Sequence, residues 1–259
     1  MSSPETHNLA RHMQHLSLGM LGHAIHHSIF SDVENPYYDA IGVLHAAQVA
    51  EIVLKACIAA EHPLLIFAKL PRPEHERQDL TLEDLMKRGR TLQYADLPDV
   101  LWAATGRRVP SLDVYREFGE LRNTVQHLLV PEDDLSRRTL EFLIDVVDPL
   151  IQDFWATNIF RHLQADEDEY FVEALDRHGI VYKGWVPLGR GTLNTKHPLW
   201  LFSLWEHSVT KERIWVDEHL TDQVRILRAV DYEGHLKTAT APTEWLHDWR
   251  EIFPSTRTR

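Results

Sequence analysis

The run "YYDAIGVLHAAQVAEIVLKACIAAE" spans Tyr37 to Glu61. It is rich in Ala, Leu, Ile and Val and far longer than a strand. Its polar residues His45, Gln48, Glu51 and Lys55 fall three or four apart, on one narrow stripe. A helix of that pattern is buried on most sides. The rest of the chain is read outward from it.

Upstream, His7 to Phe30 places Leu9, Met13, Leu16, Met20, Leu21, Ile25 and Ile29 at helical period. Asn35-Pro36 between the two runs supplies a cap and a first-turn proline. Downstream, "LPRPEHERQD" (Leu70–Asp79) reads as a proline-broken charged loop. Thr81 with Asp84 forms the pattern of a capping box for a short helix through Arg88. Leu97 to Thr105 is a further short helix, stopped at Gly106. Pro110-Ser111 opens a helix to about Leu129, broken by Pro131-Glu132-Asp133, and Leu135 to about Leu163 is the last long helix.

Composition then shifts. "QADEDEY" (Gln164–Tyr170) reads as an acidic hinge, and six of the eight tryptophans lie between Trp185 and Trp249. A short helix, Tyr170–Arg177, ends at Gly179; "IVYKGW" and "RIWV" read as strands; "VRILRAVDYEGHLKTATA" reads as a hairpin turning at Glu233-Gly234; Glu244 to Ile252 reads as a closing helix. The expected organisation is mainly α: a helical domain over residues 7–165, then a small Trp-rich α+β domain over residues 166–259.

The 259 residues carry a net charge of −12, about −8 in residues 1–165 and −4 in the remainder. Neither half is a basic module that coats nucleic acid through counterion release, so any RNA contact must be a focused arginine site. Cys57 is the only cysteine, which excludes an internal disulfide or a thiolate cluster. The apolar runs are interrupted before a membrane span, and the expectation is a cytoplasmic protein with no membrane partner.

One motif carries chemistry. "ELRNTVQH", Glu120 to His127, sets Arg122 and Asn123 ahead of His127. With 20 arginines and 17 histidines, chance supplies roughly four such pairs. Four occur: Arg122–His127, Arg190–His197, Arg213–His219 and Arg228–His235. Only the first sits inside a long expected helix. On a helical wheel, Arg122 flanks an apolar face while Asn123, Gln126 and His127 lie opposite. Arg122 and His127 are about 140° apart, so one straight helix does not aim both at a single point. A groove between two such helices does better, which points to a composite site on a two-fold axis.

"ELRNTVQHLL" on a late helix resembles the signature of the HEPN superfamily: arginine, a polar residue, three to five others, then histidine. The Ala-rich helix "VLHAAQVAEIVLKACIAAEHPLL" resembles that family's earlier core helix, and so does the layout of long helix pairs joined by a variable insert. The resemblance covers about residues 9–163. It implies a HEPN-like helical bundle, a homodimer, and a metal-independent endoribonuclease without cofactors, of the kind found in toxin–antitoxin and anti-phage defence systems. Arg122, Asn123 and His127 become the expected catalytic residues, RNA the substrate, and an antitoxin or regulatory protein a further partner. The resemblance also leaves open a non-catalytic HEPN module that binds a ligand, RNA or protein.

The residue types suit the chemistry. RNA brings its own nucleophile, the 2′-OH; cleavage needs a base for that proton, an acid for the departing 5′ oxygen, and positive charge on the phosphorane. Histidine titrates in the useful range, and arginine stays charged and grips phosphate bidentately. The products are a 2′,3′-cyclic phosphate and a 5′-hydroxyl. A purely structural alternative pairs Arg122 with Glu117 or Glu120 and leaves His127 as a solvated helix-end residue.

Other candidates rank lower. His23 and His27 are four apart, a spacing that suits a shared metal, but no nearby acid completes the set. His45, Gln48 and Glu51 could face the motif across the core, with Glu51 first of all a structural partner. Cys57 reads as core packing. The tryptophans of the tail read as a small folded core ahead of a base-stacking surface.

Overall fold

The computed structural model describes residues 4–72, 80–128, 134–163, 167–192, 201–217, 225–228 and 246–248. The fold is mainly helical with a few strands. It divides into two compact units, Met1–Leu150 with His162–Glu167, and Ile151–Arg161 with Asp168–Arg259.

The first unit is built on two long helices, α1 (Pro4–Ile29) and α2 (Tyr38–Glu61). They form its most extensive helix pair, and α2 is also met by α4 (Leu97–Thr105), α5 (Leu112–His127) and α6 (Leu135–Phe142). Val43, Ala46, Val49, Ala50, Val53, Leu54 and Ile58 are completely or almost completely buried, as the apolar pattern requires. Each fully buried Val, Leu or Ile side chain contributes roughly 1.5–3 kcal/mol. Gly42 lets the pair approach closely: a Cβ there would lie 3.0 Å from Ser28 Oγ. Length and composition alone would allow α2 to cross a membrane, yet 67% of its most apolar window is buried inside the protein. It is the core helix of the bundle.

The segment between α2 and α4 carries a small two-stranded sheet, β1 (Phe67–Lys69) with β2 (Arg90–Thr91), and the short helix α3 (Leu82–Arg88). The expected capping box is present: Asp84 N–H donates to Thr81 Oγ1 at 3.1 Å, and Thr81 N–H donates to Asp84 Oδ2 at 3.2 Å. The charged loop falls largely on residues 73–79, outside the described residues. α4 ends where expected, with Gly106 in the left-handed region at φ 74°. Ser111 precedes α5 at φ 46°, also left-handed. The proline break after α5 lies outside the described residues.

Two helical expectations need correction. Asn35-Pro36 does not enter the first turn of α2; Asn35 Oδ1 instead accepts from Tyr37 N–H at 3.1 Å, in an Asx turn ahead of the helix. The last long helix does not reach Leu163. α6 passes through a π-turn, Leu143–Val147, into α7 (Asp148–Trp155), where helix ends at Ala156 with φ 50°. A short 3-10 turn, Ile159–His162, follows. Asn158 explains the stop. Its buried amide donates to Trp185 O at 3.1 Å, and its Oδ1 accepts from Arg161 N–H at 3.3 Å, so the side chain competes with helical pairing.

α8 (Glu167–Arg177), which belongs to the second unit from Asp168 on, starts three residues earlier than expected, absorbing most of the acidic "hinge" into its first turn. Gly179 follows at φ 67°. Five antiparallel strands pair in chain order: β3 (Trp185–Thr192), β4 (Leu201–His207), β5 (Arg213–Asp217), β6 (Arg225–Arg228) and β7 (Leu246–Asp248). "RIWV" is thus a strand, while "IVYKGW" is irregular until its last residue. The expected closing helix contains β7, which pairs with β6. The expected turn at Glu233-Gly234 lies outside the described residues. Trp205 is buried edge-on to Phe160, and Phe160 meets Phe171 and Tyr182. These are the contacts of an aromatic core.

Candidate functional site

α5 is amphipathic. Tyr115, Phe118, Gly119 and Leu121 are buried, and Phe118 stacks on Phe142 of α6 with centroids 3.9 Å apart. That packing fixes the rotation of the helix and so decides where the motif points.

Arg122 points toward α2. Its side chain is 22% exposed, with Nη2 3.8 Å from Glu51 Oε2. Nη1 donates to Gln126 Oε1 at 3.3 Å. The guanidinium carbon lies 5.2 Å from the centre of the Tyr94 ring, within cation–π range. Glu51 is shared: Lys55 Nζ, almost buried, donates to its Oε1 at 2.7 Å and to Thr91 Oγ1 at 3.3 Å. The result is a line of alternating charge, Lys55–Glu51–Arg122, on one side of α2. The partner of Arg122 is therefore Glu51, and neither Glu117 nor Glu120.

Asn123 and His127 point the other way. Both are exposed, and at four residues apart they share one face of α5. Among the described residues no side-chain hydrogen bond engages either. His127 is the last residue of α5. Leu128 beside it is 79% exposed. Within one chain, Arg122 and His127 do not meet, as the wheel anticipated.

Tyr94 was not legible as a site residue. It sits on a short turn before α4 and stacks on Tyr115 of α5, centroids 4.3 Å apart and rings within 2° of parallel. Tyr115 Oη donates to Tyr94 O at 2.7 Å, and Tyr94 Oη donates to Tyr115 O at 3.4 Å. Burial pushes both phenols well above the ordinary tyrosine range, so neither is an acid–base group near neutral pH. The available signal was Gly119, a glycine in a helix interior, where a Cβ would stand 2.7 Å from Tyr94 Cε1.

The other polar cluster is built of histidines. His45 does not face the motif. Its ring lies 5.2 Å from His27 and 6.4 Å from His23, centre to centre. His26 is 5.9 Å from His27, and its Nδ1 is 2.7 Å from Glu167 Oε1. Among the described residues, the buried Nδ1 atoms of His27 and His45 have no hydrogen-bond partner. Burial, then the neighbouring imidazoles, lowers both pKa values below the ordinary histidine range. Among the described residues, no three His, Cys, Asp or Glu side chains converge on a metal-sized point. Gln48 is exposed and Cys57 is buried, the latter as expected of core packing.

No family model, curated protein or solved structure matches this chain.

Proposed function

We propose that this chain is a metal-independent endoribonuclease of the HEPN type. It works as a cytoplasmic homodimer, in a toxin or anti-phage defence role, with an antitoxin or regulatory protein as a further partner. In this reading Arg122 neutralises charge on the phosphorane. His127 takes the 2′-OH proton or gives one to the 5′ oxygen, its counterpart across the dimer taking the other role. Asn123 orients the imidazole or donates to a phosphate oxygen. The attacking 2′ oxygen bonds to phosphorus, the bond to the 5′ oxygen breaks, and the products are a 2′,3′-cyclic phosphate and a 5′-hydroxyl.

The observation that carries the reading is the division of the motif. Arg122 is ordered by Glu51, Gln126 and Tyr94, while Asn123 and His127 stand exposed and uncommitted on one face. The test is RNA incubation in EDTA with wild type, His127→Ala and Arg122→Ala. Cleavage by wild type that both variants lose supports the enzyme; equal cleavage by all three sinks it.

A second reading is a non-catalytic HEPN module that binds a ligand, RNA or protein. The contact between Arg122 and Glu51 favours it, because a paired guanidinium has less charge to offer a phosphate. Retained RNA binding with no cleavage in any buffer would select it.

A further inference from the structure

The guanidinium of Arg122 lies between an acid and an aromatic ring. Glu51 pulls it toward α2, but at 3.8 Å the pair is loose, and Lys55 holds the same carboxylate at 2.7 Å. Tyr94 gives the arginine a flat floor at 5.2 Å. That floor is itself fixed: the ring stacks on Tyr115, and each phenol donates to the other residue's backbone carbonyl. Gly119 leaves the room the ring occupies. Tyr94 lies in the segment linking α2 to α4, so this stack ties that insert to the motif helix.

We propose that Tyr94 is a positioning residue for Arg122: its ring keeps the guanidinium from collapsing onto Glu51 and presents it to a substrate phosphate. This rests on the ribonuclease reading above. A planar cation stacked on a ring keeps its edge donors free for a phosphate, whereas one closed onto a carboxylate spends two of them. Holding the donors where charge develops lowers the barrier more than it strengthens ground-state binding. The ring, not the phenol, performs the task, so phenylalanine should serve.

Two measurements on the full chain test this. The first is RNA cleavage by wild type, Tyr94→Phe, Tyr94→Leu and Gly119→Ala, each confirmed folded by circular dichroism. Tyr94→Leu should lower kcat about tenfold, with KM and the pH profile little changed because His127 is untouched. Tyr94→Phe should restore wild-type kcat, and Gly119→Ala should resemble the leucine variant by evicting the ring. The second is the Arg122 Nε–Hε resonance, identified by its loss in Arg122→Lys. It should keep its ring-shifted position in Tyr94→Phe and move to that of a free arginine in Tyr94→Leu. A resonance unmoved by Tyr94→Leu overturns the positioning claim whatever the kinetics. A moved resonance with unchanged kcat overturns its catalytic relevance. Wild type that does not cleave at all defeats the ribonuclease reading itself, and the catalytic role of Tyr94 falls with it.

Discussion

Two polar clusters flank α2, and they treat charge in opposite ways. At Glu51 and Lys55 every charged group has a partner: Lys55 holds Glu51, Glu51 faces Arg122, and Arg122 lies on Tyr94. At His45, less than two turns earlier, imidazoles crowd against one another, and two buried ring nitrogens have no hydrogen-bond partner among the described residues. The first cluster sets opposite charges against one another and orders a side chain. In the second, burial and neighbouring imidazoles lower the pKa values of His27 and His45. One helix therefore carries a fixed electrostatic device and a titratable one, and the two can be broken separately.

The largest contrast is expected in catalysis. Arg122→Ala and His127→Ala should each lower RNA cleavage about 10²-fold or more, the scale of a lost phosphorane-stabilising cation or general acid–base group. His45→Ala should leave the rate within about twofold. A comparable loss in His45→Ala would mean that the histidine cluster belongs to the site, and the separation drawn above would fail.

Stability should show the next effect. Glu51→Ala leaves the almost buried Lys55 ammonium without its counter-ion, and should cost about 2 kcal/mol, less than a fully buried pair because Glu51 is 29% exposed. Glu51→Gln keeps an acceptor for Lys55 and should cost about half as much. Urea unfolding measures both. Equal stability of all three proteins would show that the charged line is ornamental to the fold.

The two clusters also mark what the sequence could reveal. Helical period exposed α1, α2 and the buried face of α5, because burial repeats every three or four residues and α2 is apolar almost all round. Gly106 and Gly179 marked helix ends because left-handed backbone favours glycine. The wheel separated Arg122 from His127 correctly, since that follows from rise and twist alone. Tyr94 was hidden, because its place under Arg122 depends on a long-range return of the chain that no local period encodes. The histidines were visible as a crowd, but whether His45 joined them or faced the motif turned on the relative rotation of α1 and α5 about α2. Asn158 shows the opposite failure: Leu135 to Leu163 keeps a helical pattern, yet one side-chain amide, bonded to a carbonyl 27 residues away, ends the helix early. Leu246–Asp248 is too short for period to choose strand over helix, and pairing with β6 makes the choice.

The smallest effect is the pH dependence of the histidine cluster, and its sign follows from the direction of the shifts. Unfolded histidine titrates near pH 6.5. In the fold, His27 and His45 titrate lower, first because of burial and then because of their neighbours, His45, His26 and His23 for His27, and His23 for His45. The unfolded chain therefore binds more protons just below pH 6.5, so stability is complete above that value and is lost as the pH falls toward the folded values. Tyr38 packs against His27, and Glu167 pairs with His26. Asp84 and Glu206 are shifted down as well, but they act at the lower pH of carboxylates. The urea midpoint of wild type should fall between pH 7.5 and 5.5, and fall less in a His27→Gln/His45→Gln double variant. Glu51→Gln, which leaves both imidazoles and their neighbours in place, should keep the full wild-type dependence. If the double variant lost as much stability as wild type over the same interval, the unpartnered imidazoles would carry no linkage, and the two clusters would differ in composition but not in behaviour.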